Sequence, residues 1–200
     1  MKYEIGDIEI FIKDEDLATD GFLDTLKERL ENGQWESDEY KYLSLLPSDC
    51  SVLELGACIG FISCATNKIL RNKKNHVVLE ANPNLISILE NNKKNNNCSF
   101  TVVNKVLANG GGTAKFKIDK RSILGSTTEV IPNNRISQSF EIEKISVETL
   151  QRSTGLLFDA LICDIEGGEY ELFENCLTLN FIKLLRFVSV EFHWNANNSS

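Results

Sequence analysis

Apolar residues recur along this chain at two alternating periods, and the alternation predicts the fold. Ile8, Ile10 and Ile12 alternate with polar neighbours beyond a Gly6-Asp7 turn, so residues 2–12 read as a small β-hairpin. Between Asp16 and Leu30 the positions Leu17, Phe22, Leu23, Leu26 and Leu30 fit one face of a helix that Asn32-Gly33 stops. Ser37 to Leu46 reads as a second short helix, capped by Ser37 and ended before Pro47. Short apolar runs then alternate with helical patterns: strand 51–55, helix 60–71, strand 76–80, helix 83–93 and strand 99–106. The polar tract Asn91–Asn97 between the last two reads as a solvated loop. After a Gly110-Gly111-Gly112 turn, Thr113–Ile118 and Phe140–Ser146 read as strands around a polar segment, 119–139, that reads as a mobile loop. Helix 147–153, strand 158–164, helix 168–179 and strand 186–193 complete the series, and Asn195–Ser200 reads as frayed.

Strands that alternate with helices pack as a parallel sheet covered on both faces. The expected fold is therefore α/β, a doubly wound, mostly parallel sheet. A core at 47–195 would follow an accessory hairpin and helices at 1–46 and precede a tail at 196–200.

Composition narrows the partners. With 42% hydrophobic residues in 200, the chain has enough apolar surface for one sizeable core and needs no second domain. A net charge of -8 and a pI near 4.9 argue against a surface that neutralises nucleic-acid phosphates, so no nucleic-acid partner is expected. The six cysteines form no C-x-x-C pair, and His76 and His193 lie far apart, so buried free thiols and no metal are the expectation. The first residues lack the apolar core of a signal peptide, and no apolar run reaches the ~18–20 residues of a membrane span. The protein reads as soluble and cytoplasmic, without a membrane partner.

The candidate chemistry gathers at strand ends. In Ser51–Ile62 an apolar strand runs into a turn whose Gly56, Ala57 and Gly60 let the backbone approach a ligand closely. The next strand ends in Glu80, about 20 residues after Gly60, where a ribose-binding acid sits in nucleotide-binding folds. A second glycine directly beyond Ala57, which a pyrophosphate needs, is missing, so a dinucleotide is disfavoured. Glu54, two residues before Gly56, suits a cationic ligand such as S-adenosylmethionine, with its sulfonium and ammonium groups. Asp164-Ile165-Glu166 closes another apolar strand at the same sheet edge, and Glu191-Phe192-His193-Trp194 closes the last.

Together, Val52–Gly60, Val78–Pro83 and Ile162–Glu169 resemble the ordered motifs of FkbM-type S-adenosylmethionine-dependent methyltransferases, over roughly residues 35–193. In that family the first motif usually reads Asp-x-Gly-Ala-Asn-x-Gly and the third Lys-x-Asp-x-Glu-Gly-x-Glu. Here Glu54 stands for the Asp, Cys58 for the Asn and Ile162 for the Lys. The resemblance implies a class I, Rossmann-like fold, which normally finishes with an antiparallel hairpin after the strand at 186–193; either that hairpin is absent, or the N-terminal strands or a partner chain cover the edge. An edge left bare would invite a homo-oligomer. It also implies S-adenosylmethionine as cofactor, held by Glu54, Gly56, Ala57, Gly60, Glu80, Ala81, Asn82, Asn104, Val106 and Asp164. Asp164, Glu166 and His193 would be the catalytic groups, His193 as general base. Glu36 would close over the cofactor, and Trp35 reads as a core aromatic.

The activity so implied is methylation of a small acceptor with a hydroxyl or sugar group. Cys58 and Ile162 leave open a module that binds the cofactor without turnover, and a nucleotide-cofactor oxidoreductase is weaker for want of the second glycine. Nucleic-acid methylation lacks the Asn/Asp-Pro-Pro-aromatic motif that holds a flipped base.

Overall fold

Each isoleucine that predicts the N-terminal hairpin is buried in it. In the computed structural model, which describes residues 1–13, 22–119, 125–126, 133–177 and 179–193, β1 (Lys2–Ile5) pairs antiparallel with β2 (Ile8–Phe11). Ile8, Ile10 and Ile12 are sealed from solvent, and at about 1.5–3 kcal/mol each they suffice to hold the hairpin on the body. Of the first predicted helix, the described part is α1 (Phe22–Glu31); residues 14–21 lie outside the described residues. α2 (Ser37–Tyr42) continues into a 3-10 turn, Leu43–Leu45, before Pro47. Ser37 is its first helical residue and does not cap it; the cap position belongs to Glu36, whose φ of 48° is left-handed.

The core elements follow the predicted order: β3 (Val52–Leu55), α3 (Phe61–Ile69), β4 (His76–Leu79), α4 (Ile86–Asn95) and β5 (Thr101–Val103). The Asn-Lys tract is helix and not loop. α4 runs to Asn95, and Asn92 and Asn96 are buried clamps on the hairpin. Asn92 Oδ1 accepts from Phe11 N–H at 2.8 Å, while Asn96 accepts from Glu9 N–H and donates to the Glu9 carbonyl. Side-chain amides can serve one exposed strand edge with both donor and acceptor, which is why polarity there did not mean solvent.

The predicted strand 99–106 breaks at Asn104. β6 (Val106–Leu107) leaves the main sheet and joins a second one, with β7 (Thr113–Asp119), β8 (Gly125–Ser126) and β9 (Ile136–Ile145) in the order β6-β9-β7-β8. β9 begins within the segment read as loop; 120–124 and 127–132 lie outside the described residues. α5 (Val147–Thr154) is capped by Ser146, whose hydroxyl accepts from Thr149 N–H, and ended by Gly155 at φ 71°. After β10 (Ala160–Cys163), the predicted helix 168–179 is three pieces: α6 (Glu169–Glu171), a π-helical turn Leu172–Cys176, and α7 (Leu179–Ile182). β11 (Phe187–Val190) closes the series, and the expected frayed tail and the C-terminal edge beyond His193 lie outside the described residues.

β11-β10-β3-β4-β5 is the order of the main sheet, and every pairing is parallel. Alternate strand residues feed two apolar cores. Val52, Val78 and Ile162 face α3, α4 and the hairpin; Leu53, Leu79 and Leu161 face Val147 and Leu150 of α5 and Leu172. Burial on both faces explains the unbroken apolar runs. From β3 the chain progresses to β4 and β5, then returns on the other side to make β10 and β11. The connections at the carboxyl ends of β3 and β10 therefore part in opposite directions, which opens a crevice there. No helix among the described residues is long and apolar enough to cross a membrane.

Candidate active site

The strand ends are stapled to one another in series. Gly56 N–H bonds the Leu79 carbonyl, Glu80 N–H that of Val103, Asp164 N–H that of Leu55 and Glu191 N–H that of Cys163, all at 2.9–3.1 Å. Four connections are thus held side by side over a cleft of about 340 Å³. At its floor a Cβ on Gly56 would lie 1.7 Å from the Asp164 carbonyl oxygen, and Gly56 has φ 82°; only glycine lets the β3 and β10 turns touch.

On the β4 side the cleft is built on backbone amides. Glu80 is buried, and its carboxylate accepts from Cys58 N–H at 2.8 Å and Asn82 N–H at 2.7 Å. Burial pushes its pKa up to about 7 even against those hydrogen bonds. Cys58 has φ 48°, a left-handed conformation that aims its N–H at Glu80. Ala81, Asn82, Leu85, Val106 and Phe116 continue this wall.

On the β10–β11 side the cleft is built on charge. Asp164, Glu166 and Glu191 line it with Glu39 of α2, around one imidazole, His193. His193 Nδ1 lies 3.1 Å from Glu169 Oε1 and 3.7 Å from Asp164 Oδ1; its Nε2 lies 3.6 Å from Glu166 and 3.8 Å from Glu191. Glu169 is fully buried and also accepts from the N–H groups of Ile165 and Gly167, so one carboxylate shapes the Asp164–Gly167 turn and orients the histidine. The hydrogen bond with Glu169 raises the His193 pKa to about 9, and the imidazole is charged at neutral pH. Burial, then repulsion from Glu39 and Glu166, raises Asp164 to about 8; burial, then Glu191, raises Glu39 to about 7. Glu36 is pushed well up by burial and by Glu39. Glu36 Oε2 and Asp164 Oδ1 are sealed from solvent without a hydrogen-bond partner. Asp164, Glu191 and His193 each offer a donor atom within 4.8 Å of the others, the spacing of a cation's neighbours.

A family model described as the methyltransferase FkbM domain matches residues 54–199. The chain belongs to the FkbM methyltransferase family. No curated protein and no solved structure matches it.

Of the residues that the FkbM motifs nominate, Gly56, Glu80, Ala81, Asn82, Val106, Asp164, Glu166 and His193 line the cleft. Three stand behind it. Gly60, at φ 87°, opens α3 and faces Leu89; Ala57 is buried; Asn104 donates its amide to the Glu80 and Ala81 carbonyls and so fixes the β4 turn. Glu54 is placed elsewhere. Strand alternation turns it under α3, where it is buried against His76 Nε2 at 2.9 Å and accepts from Ser63 Oγ, so its polar partners lie within the protein. Trp35 is buried as expected and lines the cleft beside Glu36. Sequence reasoning passed over Glu39, Phe116 and the buried Glu169 as site residues. The run of acids at 36–39, ahead of the first core strand, was the available signal for Glu39.

Proposed function

We propose that this FkbM-family methyltransferase takes its methyl group from S-adenosylmethionine and transfers it to a hydroxyl of a small or sugar-containing acceptor, on a doubly wound class I scaffold. The observation that carries the reading is Asp164 Oδ1, a buried oxygen on the wall of a cleft at the β3–β10 crevice that accepts no hydrogen bond, its nearest cation, His193 Nδ1, being 3.7 Å away. A buried acceptor without a hydrogen bond costs about 1–3 kcal/mol until a donor reaches it, and a cationic cofactor with an ammonium group fits it. S-adenosylmethionine supplies an electrophilic methyl group on a sulfonium. Glu80, already oriented by two backbone N–H groups, keeps lone pairs for the two ribose hydroxyls. Leu85, Val106 and Phe116 offer an apolar slot for adenine. Below pH 9 His193 holds a proton and has no free lone pair, so it is assigned as a donor that orients carboxylate or acceptor. The general-base role passes to Asp164 and Glu166, which become ionised when the cation arrives.

Isothermal titration with S-adenosylmethionine and S-adenosylhomocysteine tests the reading. Both bind, and the sulfonium compound gains affinity with pH. In the free protein Asp164 and Glu39 titrate near 8 and 7, the cation favours their charged forms, and binding therefore releases protons across pH 6–8. An increase of between about tenfold and about hundredfold from pH 6 to 8 is expected for one released proton shared between them. The neutral homocysteine product lacks the sulfonium charge and responds less. Absence of binding by either compound to folded protein overturns the proposal.

A further inference from the structure

We propose that Glu54 is a positioning residue: from beneath α3 it fixes the Gly56–Gly60 turn, and so the aim of Cys58 N–H at Glu80, without lining the cleft itself. The inference rests on the methyltransferase reading above, in which Glu80 receives the ribose. Glu54 stands on the face of β3 that α3 covers, where Val52, Val78 and Ile162 are apolar. A carboxyl group without hydrogen bonds would be costly there. It has two partners, both sealed from solvent. One oxygen accepts from Ser63 Oγ in the first turn of α3, and the other lies 2.9 Å from Nε2 of His76 at the start of β4. Asn67, one helical turn beyond Ser63, continues the series. Its Nδ2 lies 3.5 Å from His76 Nδ1 and donates to the Lys73 carbonyl at 2.7 Å, while its Oδ1 accepts from Ser99 N–H at 2.9 Å, just ahead of β5. Ser63 and Asn67 share one face of α3, and through them that face is tied to β3, β4 and the approach to β5.

Apolar contacts have no direction, so a leucine in place of Glu54 would leave α3 free to turn on the sheet, whereas hydrogen bonds fix its rotation. That rotation reaches the cleft. α3 begins directly after Gly60, and Gly60 N–H bonds the Ala57 carbonyl at 2.8 Å, so the turn and the first helical turn move together. Cys58 lies inside this unit, and its N–H reaches Glu80 at 2.8 Å, a contact that weakens steeply as its angle falls. Asn92 of α4 pins the unit at one point, donating to the Ile59 carbonyl at 2.8 Å. Ser63 on Glu54 supplies the second point, which stops rotation about the first. Thr66 offers the contrast on the same helix: it is as buried as Ser63, yet its hydroxyl has no hydrogen-bond partner among the described residues.

Amide hydrogen exchange of the full chain without ligand, followed by NMR, and calorimetry with S-adenosylhomocysteine make the test. Three variants are compared: Ser63→Ala, Thr66→Val, and the triple Glu54→Leu/Ser63→Ala/His76→Leu, which makes the network apolar and leaves Asn67 its partners at Lys73 and Ser99. In Ser63→Ala the Cys58 N–H is expected to exchange about fivefold faster, and S-adenosylhomocysteine to bind about threefold or more weakly; in the triple variant both effects reach about tenfold. The amides of α5, on the opposite face of the sheet, stay within about twofold throughout, and Thr66→Val moves neither readout by more than about twofold. A merely structural role would speed exchange at α5 and at Cys58 alike. Four results overturn the proposal: unchanged Cys58 exchange in Ser63→Ala, an equal loss in Thr66→Val, a loss spread evenly over Cys58 and α5, or faster Cys58 exchange with S-adenosylhomocysteine affinity unchanged. If the triple variant fails to fold, Ser63→Ala and Thr66→Val decide alone. Failure of S-adenosylhomocysteine to bind the wild-type chain falls on the methyltransferase reading, and the exchange measurement, which needs no ligand, still decides whether Glu54 sets the turn.

Discussion

The two walls of the cleft hold their acids in opposite ways. On the β4 side Glu80 sits in a nest of backbone N–H groups, each fixed by the turn that presents it. On the β10–β11 side Asp164, Glu166 and Glu191 find little but one shared imidazolium, and Asp164 keeps a buried oxygen with no donor. The first wall is complete before any ligand arrives, whereas the second is completed by one. A preorganised wall suits a part of the ligand that never changes, and a charge-strained wall suits the end where charge moves during reaction.

Gly56 is where the two walls meet, so Gly56→Ala should break both. A methyl group there would overlap the Asp164 carbonyl, and φ 82° is unfavourable for alanine in any surroundings. Destabilisation on the order of 3 kcal/mol or more is expected in urea unfolding, because neither backbone segment can give way without pulling a strand end from its neighbour. Loss below about 1 kcal/mol would mean that the walls are not rigidly joined.

Glu169 separates the walls more finely. Glu169→Ala leaves the Ile165 and Gly167 N–H groups without their acceptor and costs about 2–4 kcal/mol. Glu169→Gln keeps much of the packing but removes the charge that holds the His193 proton, so the His193 pKa should fall from about 9 by about one unit or more, read from imidazole NMR shifts. Because the folded-state pKa is raised, the stability from this pair is full below about pH 6.5 and is lost as pH rises through 9. The gap between wild type and Glu169→Gln therefore narrows over that interval. Glu80 and its amides should not notice. A change in the β4-side resonances, or a His193 pKa that stays put, would dissolve the distinction between the walls.

The first wall was legible in the sequence and the second only in part, Asp164, Glu166 and His193 being named and Glu39 and Glu169 passed over, for a physical reason. Glycines with left-handed φ and an acid one strand later leave a local pattern, so Gly56 and Glu80 stood out, and the parallel sheet followed from its apolar runs. Charge crowding comes from elements far apart in the chain. Glu39 precedes the core, Glu169 follows β10, and only tertiary packing brings both to His193. Glu54 shows the converse error. The acid suggested a cationic ligand in the cleft, but strand alternation turns its side chain under α3 to His76. Asn92 and Asn96 misled for a similar reason, as a polar tract reads as loop unless the strand edge it serves is known.

Cys58 tests the first wall at its mildest. The FkbM pattern usually has asparagine there, and loss of an amide from the pocket is one reading of the difference. The geometry gives another: Cys58 serves Glu80 through its backbone N–H, from a left-handed conformation that asparagine tolerates better than most residues. Its thiol is pushed well above the ordinary cysteine pKa, first by burial and then by Glu36, and is unavailable as a thiolate. Cys58→Asn should then act on strain, raising stability by about 0.5–1 kcal/mol in urea unfolding and changing S-adenosylmethionine affinity by less than about threefold. Tighter binding by tenfold with no gain in stability would instead show that the side chain belongs to the ligand, and that the first wall is not made of backbone alone.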